Sequence, residues 1–155
     1  MLLKKPEQLI LGARFVVSND RVIRVELVEK GEWRVEGASR PFINRYLIPW
    51  IEGFESGQDV AVPLHAPEAL LCLRKITYGK TLSYKEFASL IGKEGAWRYA
   101  GNLLGKNPVP LLLPCHRVVR SDQSLGGFMG EKTSSIKKEL LEFERRGFSR
   151  LLIHN

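Results

Sequence analysis

Nine residues, Leu111-Leu112-Leu113-Pro114-Cys115-His116-Arg117-Val118-Val119, constrain this chain more than any other stretch. Two apolar runs flank a proline, a cysteine and a histidine. The leucine run is expected to form a buried strand. Pro114 has no N–H to give to a ladder, so that strand must end or bend there. In a regular strand, neighbouring side chains point to opposite faces. A bend lets Cys115 and His116 share one pocket, and a thiol beside an imidazole at the end of a core element is an activated nucleophile. The plainer alternative is a buried cysteine acting as a small hydrophobe, which is common for this residue type. The flanking sequence decides between the two.

At 155 residues the chain can form one domain or two small ones. No apolar run approaches the roughly 18 residues of a membrane span. Lys4 and Lys5 are not followed by the apolar segment of a signal peptide. Cys72 and Cys115 are the only cysteines, which argues against a disulfide framework and suits a reducing cytoplasm. Cys72 lies among Leu70, Leu71 and Leu73 and reads as structural. The three histidines and two cysteines are too scattered for a metal site, so no metal is expected. The net charge is +7, and it is uneven. Residues 1–70 carry nine Lys and Arg against ten Asp and Glu, a net −1, while residues 71–155 carry fifteen against seven, a net +8. The half that holds Cys115 therefore suits a polyanion such as nucleic acid, the alternative being a solvated basic face.

Ala13–Val17 and Arg21–Val28 read as a hairpin turned by Asn19-Asp20, with Ile23, Val25 and Leu27 on one face. Trp33–Glu36 is a third strand, and a helix follows from Pro41 to about Phe54 with Phe42, Tyr46, Ile51 and Phe54 as its apolar face. Trp33 and Trp50 read as core. A boundary near residue 62 separates domains 1–62 and 63–155. Ala66–Ile76 is expected to be a helix. Ser83-Tyr84-Lys85-Glu86 is a capping box that opens a helix running to about Ile91. A second helix runs from Ala96 to about Leu104, with Ala96, Trp97, Ala100, Leu103 and Leu104 inward and Arg98 and Asn102 outward. Two short helices joined by Gly92–Gly95 form a helix-turn-helix, whose second helix can enter a DNA groove. A last helix is expected from about Ser134 to Arg146.

Taken in order, these pieces resemble the O6-alkylguanine-DNA alkyltransferases. The resemblance covers roughly Ile76 to Glu144. It rests on Pro114-Cys115-His116-Arg117-Val118, placed after Asn107-Pro108-Val109-Pro110 and the helix pair with Arg98, and before a glycine loop and Leu140-Leu141-Glu142-Phe143-Glu144. Residues 1–62 match only in general layout. The resemblance implies an α+β fold: a small RNase H-like N-terminal α/β unit of antiparallel strands plus helix, then a mainly helical C-terminal domain with a helix-turn-helix. It implies that Cys115 takes the alkyl group, that His116 acts as base through a water, and that Glu144 orients His116. Asn107 would hold the turn under Cys115, and Tyr84 would offer its hydroxyl to N3 of the leaving guanine. Arg98 would fill the gap left by a flipped nucleotide, with Tyr84, Lys85 and Ser121 also on the DNA. Leu104, Pro110, Val118, Phe128 and Met129 would line the base pocket. Arg117 reads as a packing residue. The implied partner is double-stranded DNA carrying O6-alkylguanine, with O4-alkylthymine as a second substrate. The implied protein is a cytoplasmic monomer, nucleoid-associated if prokaryotic, with no cofactor, metal or membrane.

Elementary chemistry supports these roles. The target atom is inside the duplex, so the nucleotide must be flipped out, at a cost of a few kcal/mol. Thiolate, not thiol, is the nucleophile, and a histidine held by a carboxylate can generate it. Transfer yields a thioether, a poor leaving group, so each molecule should act once. The chain departs from the family pattern at Phe128, where Tyr is usual, and at Met129, where a small residue is usual. It departs again at Arg98-Tyr99-Ala100-Gly101-Asn102, where Arg-Ala-Val-Gly and a small residue are usual, and Glu131–Ser135 is about two residues longer. The competing readings are a lesion-binding relative without chemistry, a helix-turn-helix regulator, and a cysteine hydrolase that turns over repeatedly.

Overall fold

The alternation of Ala13, Phe15 and Val17 puts three apolar side chains on one face of strand β2 (Gly12–Ser18), all of them buried. Asn19 and Asp20 take positive φ, the conformation a two-residue hairpin turn requires, and lead into β3 (Arg21–Val28). The structure is a computed structural model and describes residues 1–126 and 135–154. In β3 the inward face differs from the expected one. Val22 and Val25 are buried and Ile23 is exposed. The register shifts between Val16 and Val17, which pair with Arg24 and Val22, so Ile23 is the extra residue of a bulge. A strict two-residue alternation could not anticipate that slip.

Two further strands complete a four-stranded sheet: β1 (Leu2–Leu3) and β4 (Trp33–Glu36), in the order β1-β4-β2-β3. The sheet is mixed rather than antiparallel throughout, because β4 runs parallel to β2. The short connection after β3 crosses the start of β2, where Gly12 and Gly31 touch. A Cβ on Gly12 would sit 2.9 Å from the Gly31 Cα. The outer edge of β3 is covered: Val22 N donates to Pro63 O at 2.9 Å and Val25 N to Pro108 O at 2.9 Å.

The helix expected from Pro41 to Phe54 runs as α1 (Arg40–Phe42), a π-helical turn (Ile43–Leu47) and α2 (Ile48–Ser56). Ser39 caps it through Phe42 N. Pro49 lacks an N–H for the preceding turn, and the helix widens just ahead of it. The widened turn changes the periodicity, so Ile43 and Leu47 are buried and Tyr46 only half-buried, against expectation. Trp33 and Trp50 are core, as expected. A chain of rings runs from the sheet across the molecule: Phe15, Trp33, Trp50, Phe54 and Phe143, with successive centroids 5.0–6.2 Å apart. It ends beside Glu144 in sequence.

The expected helix over Ala66–Ile76 is a 3-10 segment, Glu68–Lys75. Leu70 and Leu73 are its buried residues and Ile76 is buried just past its end, and this spacing of three matches a three-residue turn. Cys72 is half-buried there. Helices α3 (Tyr84–Leu90) and α4 (Trp97–Gly105) pack on each other. Leu82–Ser83 (β5) runs parallel to Val118–Val119 (β6). The last helix, α5, spans Ser135–His154 and so runs past Arg146.

Candidate active site

Three prolines, at 108, 110 and 114, remove N–H donors from the segment before Cys115. The strand expected at Leu111–Leu113 is therefore a buried turn, with Leu111 at φ +74°. Asn107 ties it together. Its Nδ2 donates to Leu113 O at 2.9 Å and its Oδ1 accepts from Val109 N at 3.0 Å. Pro114 then opens a single 3-10 turn, Cys115–Arg117, closed by Arg117 N donating to Pro114 O. The bend expected at Pro114 is present, although no strand precedes it.

His116 is fully buried, with its Nε2 2.6 Å from Glu144 Oε2. Its Nδ1 is buried with no hydrogen-bond partner among the described residues. Glu144 reaches the ring from α5 and also accepts from Arg117, Nε to Oε1 at 2.8 Å and Nη2 to Oε2 at 3.1 Å. Arg117 Nη1 in turn donates to Asp59 Oδ1 at 3.0 Å and to Ile76 O at 2.7 Å. Burial disfavours the Glu144 carboxylate, but His116 and Arg117 outweigh it and hold the group well below the usual carboxylate range. The Cys115 thiol is pushed up to about 11, chiefly by burial, with the Asn107 hydrogen bond and the charge of Lys137 acting the other way. At neutral pH it is a thiol and needs a base.

Lys137 was not anticipated. It is buried on α5, seven residues before Glu144, and donates to Val118 O at 2.6 Å. Burial brings its pKa down to about 8. The signal was present: Lys137, Leu140 and Glu144 share the inward face of an amphipathic helix, where a lysine is out of place. Asp59 was also missed, and nothing local marks an exposed-looking acid 56 residues before the cysteine.

The capping box forms as expected. Ser83 Oγ accepts from Glu86 N, and Glu86 returns to Ser83 N. It sets Tyr84 at the first position of α3, half-buried, with Lys137 Nζ 5.6 Å from its ring centroid. Gly126 lies so close that a Cβ there would meet the Tyr84 hydroxyl at 2.7 Å. Tyr84, Lys85, Arg98 and Ser121 line one open groove with Trp97, Gly101, Asn102, Arg120 and Gly126. Trp97 corrects an expectation: it is 58 % exposed rather than inward, because Ala100 and Leu104 already fill the core face of α4. Leu104, Pro110 and Val118 are buried, while Phe128 and Met129 lie outside the described residues. Among the described residues no cluster could hold a metal ion, and no helix is long and apolar enough to cross a membrane.

Comparisons with known proteins point one way. Residues 67–146 match the family model "6-O-methylguanine DNA methyltransferase, DNA binding domain". The methylated-DNA–protein-cysteine methyltransferase of Methanothermobacter thermautotrophicus is 34% identical over 139 residues, 83% of this chain and 77% of that one. The mouse protein of that name is 43% identical over 72 residues, 46% of this chain and 34% of its own length. The Pyrobaculum aerophilum protein is 45% identical over 75 residues, 48% of each. The matched part thus spans about a third of the mouse protein and about half of the Pyrobaculum one. The crystal structure of Mycobacterium tuberculosis OGT in complex with DNA matches at a TM-score of 0.64 and 26% identity, over 88% of this chain and 94% of that one.

Proposed function

This chain belongs to the 6-O-methylguanine DNA methyltransferase family, and from that premise we propose that it repairs duplex DNA by moving an alkyl group from O6 of guanine to Cys115. One observation carries the reading: a buried imidazole held by a carboxylate, next in the chain to a thiol whose burial keeps it protonated. With Nε2 turned to Glu144, the ring hydrogen belongs on Nε2 and Nδ1 keeps its lone pair. The Cys115 proton passes through a water to Nδ1, and Glu144 balances the imidazolium. The thiolate attacks the alkyl carbon. The S–C bond forms as the C–O6 bond breaks, and the electron pair stays with the purine. N3 takes the Tyr84 proton, and solvent returns the proton held by His116 to Tyr84. The thioether has no route back to a thiol, so each molecule acts once. The Asn107 clamp, with both ends of its amide on the turn before Cys115, supports its positioning role.

Flipping exposes the base to Cys115, and Arg98 fills the vacated stack, with Lys85 and Ser121 on the backbone. The four side chains assigned to DNA share one groove, which supports this placement. The helix pair α3–α4 acts as a helix-turn-helix. Gly92 and Gly95, both at positive φ, support the tight turn between them. Residues 1–62 form an RNase H-like domain, and residues 63–155 carry DNA binding and transfer. The protein works as a monomer in a reducing cytoplasm, where its two free thiols persist.

The test is transfer of label from a duplex carrying radiolabelled O6-methylguanine. Label should reach the protein to one equivalent and stop, and Cys115→Ser should accept none. Label on Cys115→Ser, or continued turnover, would refute the assignment. Binding without transfer would leave a lesion-recognition protein.

A further inference from the structure

Trp97 is a large apolar side chain that the fold leaves mostly exposed. Of the three tryptophans, Trp33 is 0 % and Trp50 5 % exposed, while Trp97 is 58 % exposed at the start of α4. It lines the groove beside three cations, Lys85, Arg98 and Arg120, and among the described residues no acidic side chain lines that groove. One helical turn on, Gly101 also faces the groove. A Cβ there would meet nothing within 4 Å, so packing does not require glycine, and the indole is left with open space at its side. Tyr99, the other exposed aromatic of α4, already carries Lys93 over its ring at 5.7 Å.

We infer that Trp97 is a DNA-stacking residue. Its indole lies against a nucleobase left without a stacking neighbour in the groove, next to the position that Arg98 fills. The inference rests on the DNA-binding reading above and adds a residue to it. The surrounding cations suit a phosphate backbone. Every base presents a π-face, so aromatic stacking tolerates any sequence around a lesion. A repair protein that must act at any guanine needs that tolerance. A cation beside the indole also draws the strand in before stacking occurs.

Fluorescence provides the test, because the two buried tryptophans are shielded from DNA. The probe is a duplex carrying an abasic site, which offers unstacked bases and no alkyl group to transfer. Saturating DNA should quench the long-wavelength Trp97 emission. Trp97→Phe should remove the quenching and hold affinity within about twofold, because a phenyl ring still stacks. Trp97→Ala should weaken binding roughly five- to thirtyfold, in the range that base–aromatic stacking gives. Emission unmoved by DNA, Trp97→Ala binding within about twofold of the parent, or Trp97→Phe falling as far as Trp97→Ala would each overturn the inference. So would sedimentation showing a dimer that Trp97→Ala dissolves, since the indole would then cover a second copy of the chain. Failure of alkyl transfer with quenching intact would count against the role of Cys115 and leave Trp97 standing.

Discussion

Two regions of the basic half do different physical work. Around Cys115 the polar groups are buried and tied to one another, Asn107 to the turn, His116 to Glu144 and Glu144 to Arg117, and Arg117 reaches out to the half-exposed Asp59. Along the groove, Lys85, Trp97, Arg98, Arg120 and Ser121 are exposed. The first region holds a geometry that water cannot disturb, so each bond is costly to remove. The second acts through charge and area at a surface, so its residues add up in small steps that salt can screen. Substitutions in the two should therefore fail differently.

The sharpest contrast is expected from Glu144→Gln. It leaves the buried Arg117 with only the half-exposed Asp59 carboxylate, which should cost about 3 kcal/mol in a denaturant melt. Loss of the partner of His116 should also slow single-turnover transfer on the order of 100-fold or more. A rate within threefold of the parent would break the idea that the imidazole depends on Glu144. Acid titration examines the same pair. The folded Glu144 is held low, whereas in the unfolded chain it titrates near ~4.3. On acidification the unfolded chain binds the proton first. Stability is therefore full above about pH 4.3 and falls below it, by up to ~1.4 kcal/mol per pH unit from this group. In Glu144→Gln that acid limb should be shallower, and an unchanged limb would assign it elsewhere.

Arg98→Ala should reduce transfer from a duplex by roughly tenfold or more, and transfer from free O6-benzylguanine much less. Equal losses on both substrates would place Arg98 with the buried relay rather than with the DNA. Asp59→Asn sits between the regions, since its carboxylate is half-exposed while its partner Arg117 is buried. With exposure discounting the pair, about 1 kcal/mol is expected, or roughly 2–4 °C in Tm. The smallest effect is expected at Lys85→Ala. Binding should weaken only a fewfold, uniformly across sequences, with the salt slope reduced by about 1. A larger loss confined to lesion-bearing DNA would move Lys85 out of the backbone-contact group.

Local chemistry made much of this legible. The capping box of Ser83 and Glu86, the Asn19-Asp20 turn, and the bend at Pro114 all depend on residues within a few positions of each other. The ordered set from about Ile76 to Glu144, with the helix pair carrying Arg98 ahead of the Pro114–Val118 run, was enough to place the chain in its family. Other features needed the folded chain. The bulge at Ile23 arises from how β2 and β3 pair, and the π-turn before Pro49 moved a helical face that sequence spacing had set elsewhere. Leu111–Leu113 has the composition of a strand, yet the surrounding prolines and the Asn107 clamp make it a turn. Trp97 reads as core by composition and is exposed because Ala100 and Leu104 already occupy that side of α4.

By itself, then, the sequence determined the cysteine–histidine pair, the family and the concentration of positive charge in one half, because motif chemistry and charge are properties of residue order. Only the tertiary structure decided that Asp59 reaches Arg117 across 58 positions, that Lys137 lies buried within range of the thiol, and that the groove cations gather around one exposed indole. Those are distances between segments far apart in the chain, and packing alone sets them.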